Sequence, residues 1–219
     1  MRKKWRLAIV AVAALATMAG TAVAREPMVG DARIPYSAVR TVTLDGKTYS
    51  GKVFHEPGKE RLDQSISGIE LNFILDLEAS AGFIVVPSLN SYVPFHPPAL
   101  LAELNRSRLK GLAVGEERIA GMRATKYRID YTASDGVHGD GFIWLGDDNI
   151  LLRIDGRVER KTHKPMTIRM ELSDIRPGPQ NPALFAPPGG MKPIPEEALQ
   201  TLLSLTMKLP KGLKLPGLK

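Results

Sequence analysis

IELNFILDLE, residues 69–78, alternates apolar and polar side chains: Ile69, Leu71, Phe73, Leu75 and Leu77 fall on one face, Glu70, Asn72, Asp76 and Glu78 on the other. A period of two belongs to the extended chain, whose successive side chains point to opposite faces; a single apolar face marks a strand half covered by a core. Only Ile74 breaks the alternation.

Working outward, residues 36–87 read as a run of strands. Their turns are expected at Asp45-Gly46, at Glu56-Pro57-Gly58-Lys59 and in the small residues Ala79 to Gly82, where glycine supplies positive φ and proline presets the corner. From Gly115 the pattern returns. Tyr127, Ile129 and Tyr131 alternate with Lys126, Arg128 and Asp130; Ile150, Leu152 and Ile154 with Arg153 and Asp155; Met166, Ile168, Met170 and Leu172 with Thr167, Arg169, Glu171 and Ser173. These predict half-buried antiparallel strands, with hairpin turns at Asp135-Gly136 and Gly146-Asp147-Asp148-Asn149. Between the two runs, PPALLAELNRSRL (97–109) changes period: Leu100, Leu101 and Leu104 recur at helical spacing after prolines that suit a first turn. A short helix lying on the sheet is expected there.

In GFIWLGDDNILLRI (141–154) two adjacent carboxylates, Asp147 and Asp148, invite a catalytic reading. Like charges side by side are easiest to keep ionised in water, and a Gly-Asp-Asp-Asn tip between apolar strands has the chemistry of a turn, so the turn is preferred. Phe142 and Trp144 share one face, Ile143 and Leu145 the other. A strand apolar on both sides is covered on both, by a helix, a neighbouring segment or a ligand, and the sheet is expected to curve round a filled interior.

The chain ends differ from its body. Arg2, Lys3, Lys4 and Arg6 precede an apolar run, Leu7 to Met18, and Ala22-Val23-Ala24 follows with the small-x-small pattern of signal cleavage; residues 1–24 read as a signal peptide cut between Ala24 and Arg25. The apolar run is shorter than the roughly 20 residues of a spanning helix, which weighs against a retained anchor. Of the formal charge of +7, four positive charges lie in that leader, and residues 25–190 carry 21 basic and 21 acidic side chains. The folded body is neutral, so the basic face that nucleic-acid binding needs has no support. One domain is expected over 25–195. Residues 196–219 read as a C-terminal amphipathic helix, opened by Pro195-Glu196-Glu197 with Ala198, Leu199, Leu202, Leu203, Leu205 and Leu209 on one face, and a Lys-rich tail. That tail reads either as a peripheral contact with anionic lipid or as a packed helix with a frayed end.

Chemistry-bearing patterns are sparse. There is no cysteine, hence no disulfide, thiolate or lipid-attachment site. No G-x-S-x-G nucleophile motif occurs, and Ser67-Gly68 sits at an expected hairpin. His55, His96, His138 and His163 lack the spacing of paired ligands on a helix; His138-Gly139-Asp140 would place two donors on one strand face, too few for a transition-metal site. PPGGMKP follows no strand-to-helix junction of a phosphate loop. No catalytic residue, metal or cofactor is expected.

NFILDLEASAGFIVVPSLNSYVPF, GEERIAGMRATKYRI, GDGFIWLGDDNILLRI and NPALFAPPGGMKPIP, in that order, resemble the periplasmic LolA/LolB-like lipoprotein-carrier superfamily, especially its small exported members of unknown function. The resemblance spans about residues 36–195. It implies a mainly β (α+β) fold, a curved antiparallel sheet forming an incomplete β-barrel with short helices over its concave face. It also implies a non-catalytic role: a lipid, acyl-chain or lipoprotein ligand held in an apolar cavity, in the periplasm. Related domains in stress-sensing regulators use the same fold to contact protein partners, so an envelope interaction or sensor module is the alternative. Phe73, Leu75, Tyr127, Ile129, Trp144, Leu152, Ile168 and Met170 are the expected lining of the cavity, or else simply core, since a curved sheet buries such side chains with or without a ligand.

Overall fold

The computed structural model describes residues 31–79, 81–96, 111–132, 138–160 and 163–206. The expected helix over 97–109, the leader, the Asp135-Gly136 turn and the end of the tail lie outside them.

Twelve strands form one sheet. They are β1 (Tyr36–Leu44), β2 (Lys47–Glu56), β3 (Lys59–Ile66), β4 (Ile69–Asp76), β5 (Ala81–Val86), β6 (Ser91–Phe95), β7 (Gly111–Ile119), β8 (Met122–Thr132), β9 (His138–Gly146), β10 (Leu151–Arg160), β11 (His163–Pro177) and β12 (Lys192–Pro193). Their order is β12-β6-β5-β4-β3-β2-β1-β11-β10-β9-β8-β7, and all neighbours are antiparallel except β12, which lies parallel to β6. The sheet is curved and unclosed, the incomplete barrel that the alternation and the resemblance imply. A helix, α1 (Glu196–Thr206), opens where Pro195-Glu196-Glu197 predicted it, and its Leu199 is fully buried in the core.

The turns follow their residues. Asp45 and Gly46, at φ 47° and 80°, make the two-residue hairpin between β1 and β2, with both residues left-handed as the twist of paired strands requires. Ser67-Gly68 and Ala120-Gly121 repeat it between β3 and β4 and between β7 and β8. Asp147–Asn149 forms the β9–β10 turn, with Asp148 and Asn149 left-handed at φ 53° and 63°, so the carboxylate pair stands in the turn.

Two segments wrap the sheet. Beyond β11 the chain crosses the outward face: the Gln180 N–H donates to Glu56 Oε1 at 2.6 Å, Arg61 Nη1 donates to the Leu184 carbonyl at 3.3 Å, and the Ile194 N–H reaches the Tyr92 carbonyl at 2.8 Å. The short turn Pro182–Phe185 packs on β3 and β4 along this path. Ile74 and Val85, which face outward, are each 1% exposed. The break in the 69–78 alternation is therefore a strand buried on both faces.

Ahead of β1, Asp31 ties together two turns that are distant in the sheet. Its carboxylate accepts the N–H of Gly58, in the β2–β3 turn, and its carbonyl accepts Asn149 Nδ2, in the β9–β10 turn, at 3.3 Å. The Arg33 N–H donates to the Asp148 carbonyl at 2.8 Å. In a flat sheet those turns would stand four strand spacings apart, roughly 19 Å. One residue spans them here, which measures how far the sheet has curled.

Candidate functional site: the inward face of the sheet

Register assigns each side chain to a face. Tyr127, Ile143, Ile154, Met170, Val42 and Tyr49 face one another in a row across β8, β9, β10, β11, β1 and β2. Beside it run Ile129, Gly141, Gly156, Ile168 and Leu44. Ala38, on the same side of β1 as Val42, begins a third row through Val53, Leu62, Phe73 and Ile84. This is the inward face, and it holds the main apolar core.

The eight expected lining residues divide three ways. Phe73, Leu75, Leu152, Ile168 and Met170 share the inward face but are buried, between 0% and 8% exposed. Tyr127 and Ile129 lie on the same face half-buried, where the sheet runs out toward β7. Trp144 corrects the expectation. It pairs in register with Lys126 and Arg153, one residue out of phase with Ile143, and so faces outward. Its ring lies 4.8 Å from Lys126 Nζ and 5.3 Å from the Arg153 guanidinium carbon, and Lys126 also sits 4.4 Å from the Phe142 ring. Two cations over aromatic faces cover what an apolar segment or ligand was expected to cover.

At the β7 end the apolar face is incompletely covered. Tyr127, Ile129 and Tyr131 alternate half-buried along β8; on the neighbouring edge strand Leu112, opposite Arg128 and so on the outward face, and Val114, at a bulge, are 72% and 46% exposed. Gly141 lies within this region at φ 145°. A Cβ there would come within 2.4 Å of the Asp155 carbonyl oxygen, so only glycine lets β9 and β10 approach so closely here.

At the opposite end the inward face carries a polar cluster that no motif announced. Arg40 Nη1 and Nη2 donate to the two carboxylate oxygens of Glu60, each at 2.8 Å, with both residues buried. His55 stacks on Tyr36 with ring centroids 5.0 Å apart, and its Nε2 lies 3.1 Å from the Ala32 carbonyl and 3.4 Å from Asp31 Oδ1. The Ala32 carbonyl can only accept, so Nε2 is the donor. Gln64 is buried beside them.

Burial dominates the titration of these groups. It pushes the Asp31 carboxyl up to about 7 against the Gly58 N–H, which favours the ionised form. It lowers His55 to about 4 and raises the Tyr36 phenol well above its usual range. Burial alone would disfavour the Arg40 cation, but the Glu60 carboxylate more than restores it. The sequence signal was one of phase: Arg40, His55, Glu60 and Gln64 occupy positions in step with Ala38, Val53 and Leu62, where an apolar residue is the rule.

His138 and Asp140 do share one face of β9, as their spacing predicts. His138 Nδ1 lies 3.1 Å from Thr132 Oγ1 and 3.8 Å from Asp130. No group of three metal-binding side chains occurs among the described residues.

No protein-family model and no curated protein matches the chain. Among solved structures it is similar to an uncharacterized conserved protein from Thermus thermophilus, with 14% identity over 74% of this chain and 90% of that one and a TM-score of 0.49. It is similar to the MucA/MucB complex of Pseudomonas aeruginosa, with 16% identity over 71% of this chain and 56% of the matched one and a TM-score of 0.45. A third is a LolA superfamily protein from Nitrosomonas europaea, with 8% identity over 70% and 90% of the two chains and a TM-score of 0.38.

Proposed function

We propose that this is a non-catalytic periplasmic binding protein, exported with cleavage between Ala24 and Arg25, whose inward face takes the acyl chain of a lipid or lipoprotein. The supporting observation is the row Tyr127, Ile129 and Tyr131, apolar, inward and only half-buried at the β8 end of the packed core. An acyl chain needs no hydrogen-bond partner, so unfinished apolar surface in a concavity suffices to hold it. The entrance is placed at the β7–β8 end, with Tyr127 and Ile129 as contacts; Phe73, Leu75, Leu152, Ile168 and Met170 form the packed wall behind it. The motif resemblance to lipoprotein carriers points the same way.

The test is native mass spectrometry of the mature protein purified from its own periplasm, followed by organic extraction. A lipid of defined mass, retained by the parent and absent from a folded Ile129→Glu variant, is the expected result. Lipid-free protein that also takes up no fluorescent fatty acid would overturn the reading.

The exposed Leu112 and Val114 on the open edge of β7 favour a second reading, an envelope interaction module. A protein partner recovered in stoichiometric amount with lipid-free protein, and lost in Leu112→Asp, would establish it.

A further inference from the structure

On the outward face, β11, β1 and β2 present short hydroxyl side chains in register. Thr41 stands opposite Glu171 on one side and Ser50 on the other, and Thr43 opposite Arg169 and Thr48. Where such short side chains occupy neighbouring strands, the surface dips between longer ones. The dip is a hollow of about 420 Å³, the size of a small-ligand site, and among the described residues its walls are Thr41, Thr43, Thr48, Arg169, Glu171 and Ser173. Every one carries a hydrogen-bonding side chain.

Contacts within the protein leave much of that capacity unused. The Thr43 and Thr48 hydroxyls lie 3.0 Å apart and those of Thr41 and Ser50 3.4 Å apart. In each pair one hydroxyl donates, so the other keeps its proton and both keep lone pairs. Glu171 accepts from Arg153 Nε through Oε2, at 2.9 Å, and retains its second oxygen. Arg169 makes no side-chain hydrogen bond or ion pair among the described residues, although Asp155 stands opposite it on β10. Its five N–H donors remain to be used at the wall of the hollow.

The charges disfavour a simple anion. Arg153 and Arg169 are matched in register by Glu171 and Asp155, so the four cancel, and an anion at Arg169 would sit beside the Glu171 carboxylate. An apolar ligand would strip water from hydroxyls, a guanidinium and a carboxylate and return no hydrogen bond. What fits is an uncharged molecule that donates and accepts at several closely spaced points. A sugar does so at each ring hydroxyl, and strands about 4.8 Å apart set donors and acceptors across the width of one ring.

We propose that the outward hollow on β11, β1 and β2 is a saccharide site, in which Arg169 and Glu171 bind neighbouring ring hydroxyls and the threonines and Ser173 bind the rest. It lies on the face opposite the proposed lipid surface and is independent of that reading. No aromatic side chain is among the described walls to stack on a ring, so a single sugar is expected to bind with a Kd of about 1 mM or weaker.

The experiment is an NMR titration of the isotope-labelled mature protein with glucose, N-acetylglucosamine, their trimers maltotriose and chitotriose, glucuronate and inorganic phosphate. At least one neutral sugar is expected to shift the Thr41, Thr43, Arg169 and Ser173 amides saturably. Arg169→Met and Thr43→Val, both at outward-facing positions, should each weaken that binding about tenfold, the worth of one or two hydrogen bonds, while Ile129→Glu on the inward face leaves it unchanged. A trimer binding more tightly than its monomer assigns the hollow to a glycan chain, and equal binding assigns it to a free sugar; either upholds the site. Phosphate or glucuronate binding more tightly than every neutral sugar would overturn it in favour of an anion site at Arg169. Shifts indifferent to both substitutions, or none from any neutral sugar at about 50 mM, far above the expected Kd, would also overturn it.

Discussion

Arg40 and Glu60 meet in a two-pronged ion pair, 2.8 Å at each prong, both buried on the inward face of the sheet with His55 and Gln64 beside them and an apolar core around. Removing one partner of such a pair leaves a buried charge without compensation. Glu60→Leu is therefore expected to destabilise the fold by about 3–5 kcal/mol, whereas the double change Arg40→Met with Glu60→Leu should return stability to near the parent or above it. Urea unfolding of the three proteins gives the comparison; a double variant as unstable as the single one would show that the pair itself holds the sheet.

Asp31 and His55 oppose each other in pH dependence. Asp31, raised from 3.8 to about 7, contributes stability that is full below pH 3.8 and is lost as pH rises through about 7. His55, lowered from 6.5 to about 4, contributes stability that is full above pH 6.5 and is lost as pH falls through about 4. Between pH 4 and 6.5 the two slopes have opposite sign, and the parent protein should have a nearly level stability profile. Asp31→Asn should expose the histidine slope, with stability falling toward acid. His55→Gln should expose the aspartate slope, with stability falling toward pH 7. Urea midpoints measured across that range check both signs.

The two faces at the β8–β10 end separate ligand from scaffold. Lys126→Gln, which removes one cation from Trp144 and Phe142 on the outward face, should cost about 0.5–1 kcal/mol and leave lipid retention unchanged. Arg153→Gln should cost more, since Arg153 Nε also donates to Glu171 at 2.9 Å. Loss of bound lipid in either variant would place the ligand on the wrong side of the sheet for the proposed function.

Two glycines on one strand predict opposite outcomes. Gly141→Ala drives a Cβ to 2.4 Å from a backbone oxygen at φ 145° and should cost more than about 2 kcal/mol. Gly139→Ala meets nothing nearer than 3.8 Å and should change stability by less than about 0.5 kcal/mol. Thermal unfolding of the pair tests whether the close approach of β9 and β10 depends on Gly141.

The strands, the two-residue hairpins and the opening of α1 were legible because each depends on a few neighbouring residues: alternation, a turn pair, acids after a proline. Ile74 and Trp144 were legible only as anomalies. An apolar residue out of phase says that its face is covered, but not by what; the cover on Ile74 comes from residues about 110 positions later, and that on Trp144 from cations whose long side chains read as solvent-facing. The polar cluster was visible in principle as polar residues on the buried phase, yet its meaning needed three strands in register. Asp31 carried no local signal, because its contacts belong to turns far away in the chain.

The order of strands bears on how the molecule is made. The meander β1–β6 and the meander β7–β11 each grow hairpin by hairpin from local contacts, and among the described strands the sheet joins them through β1 and β11, a contact between opposite ends of the chain and the slow step of such a topology. Until then the bare edges are those of a 9-residue and a 15-residue strand, long templates for wrong pairing between chains. A chain exported as proposed, emerging from its N-terminus, carries the open edge of β1 through nearly its whole passage. Its vulnerable period is thus before the second meander arrives, and a chaperone that protects it would be expected to act on β1.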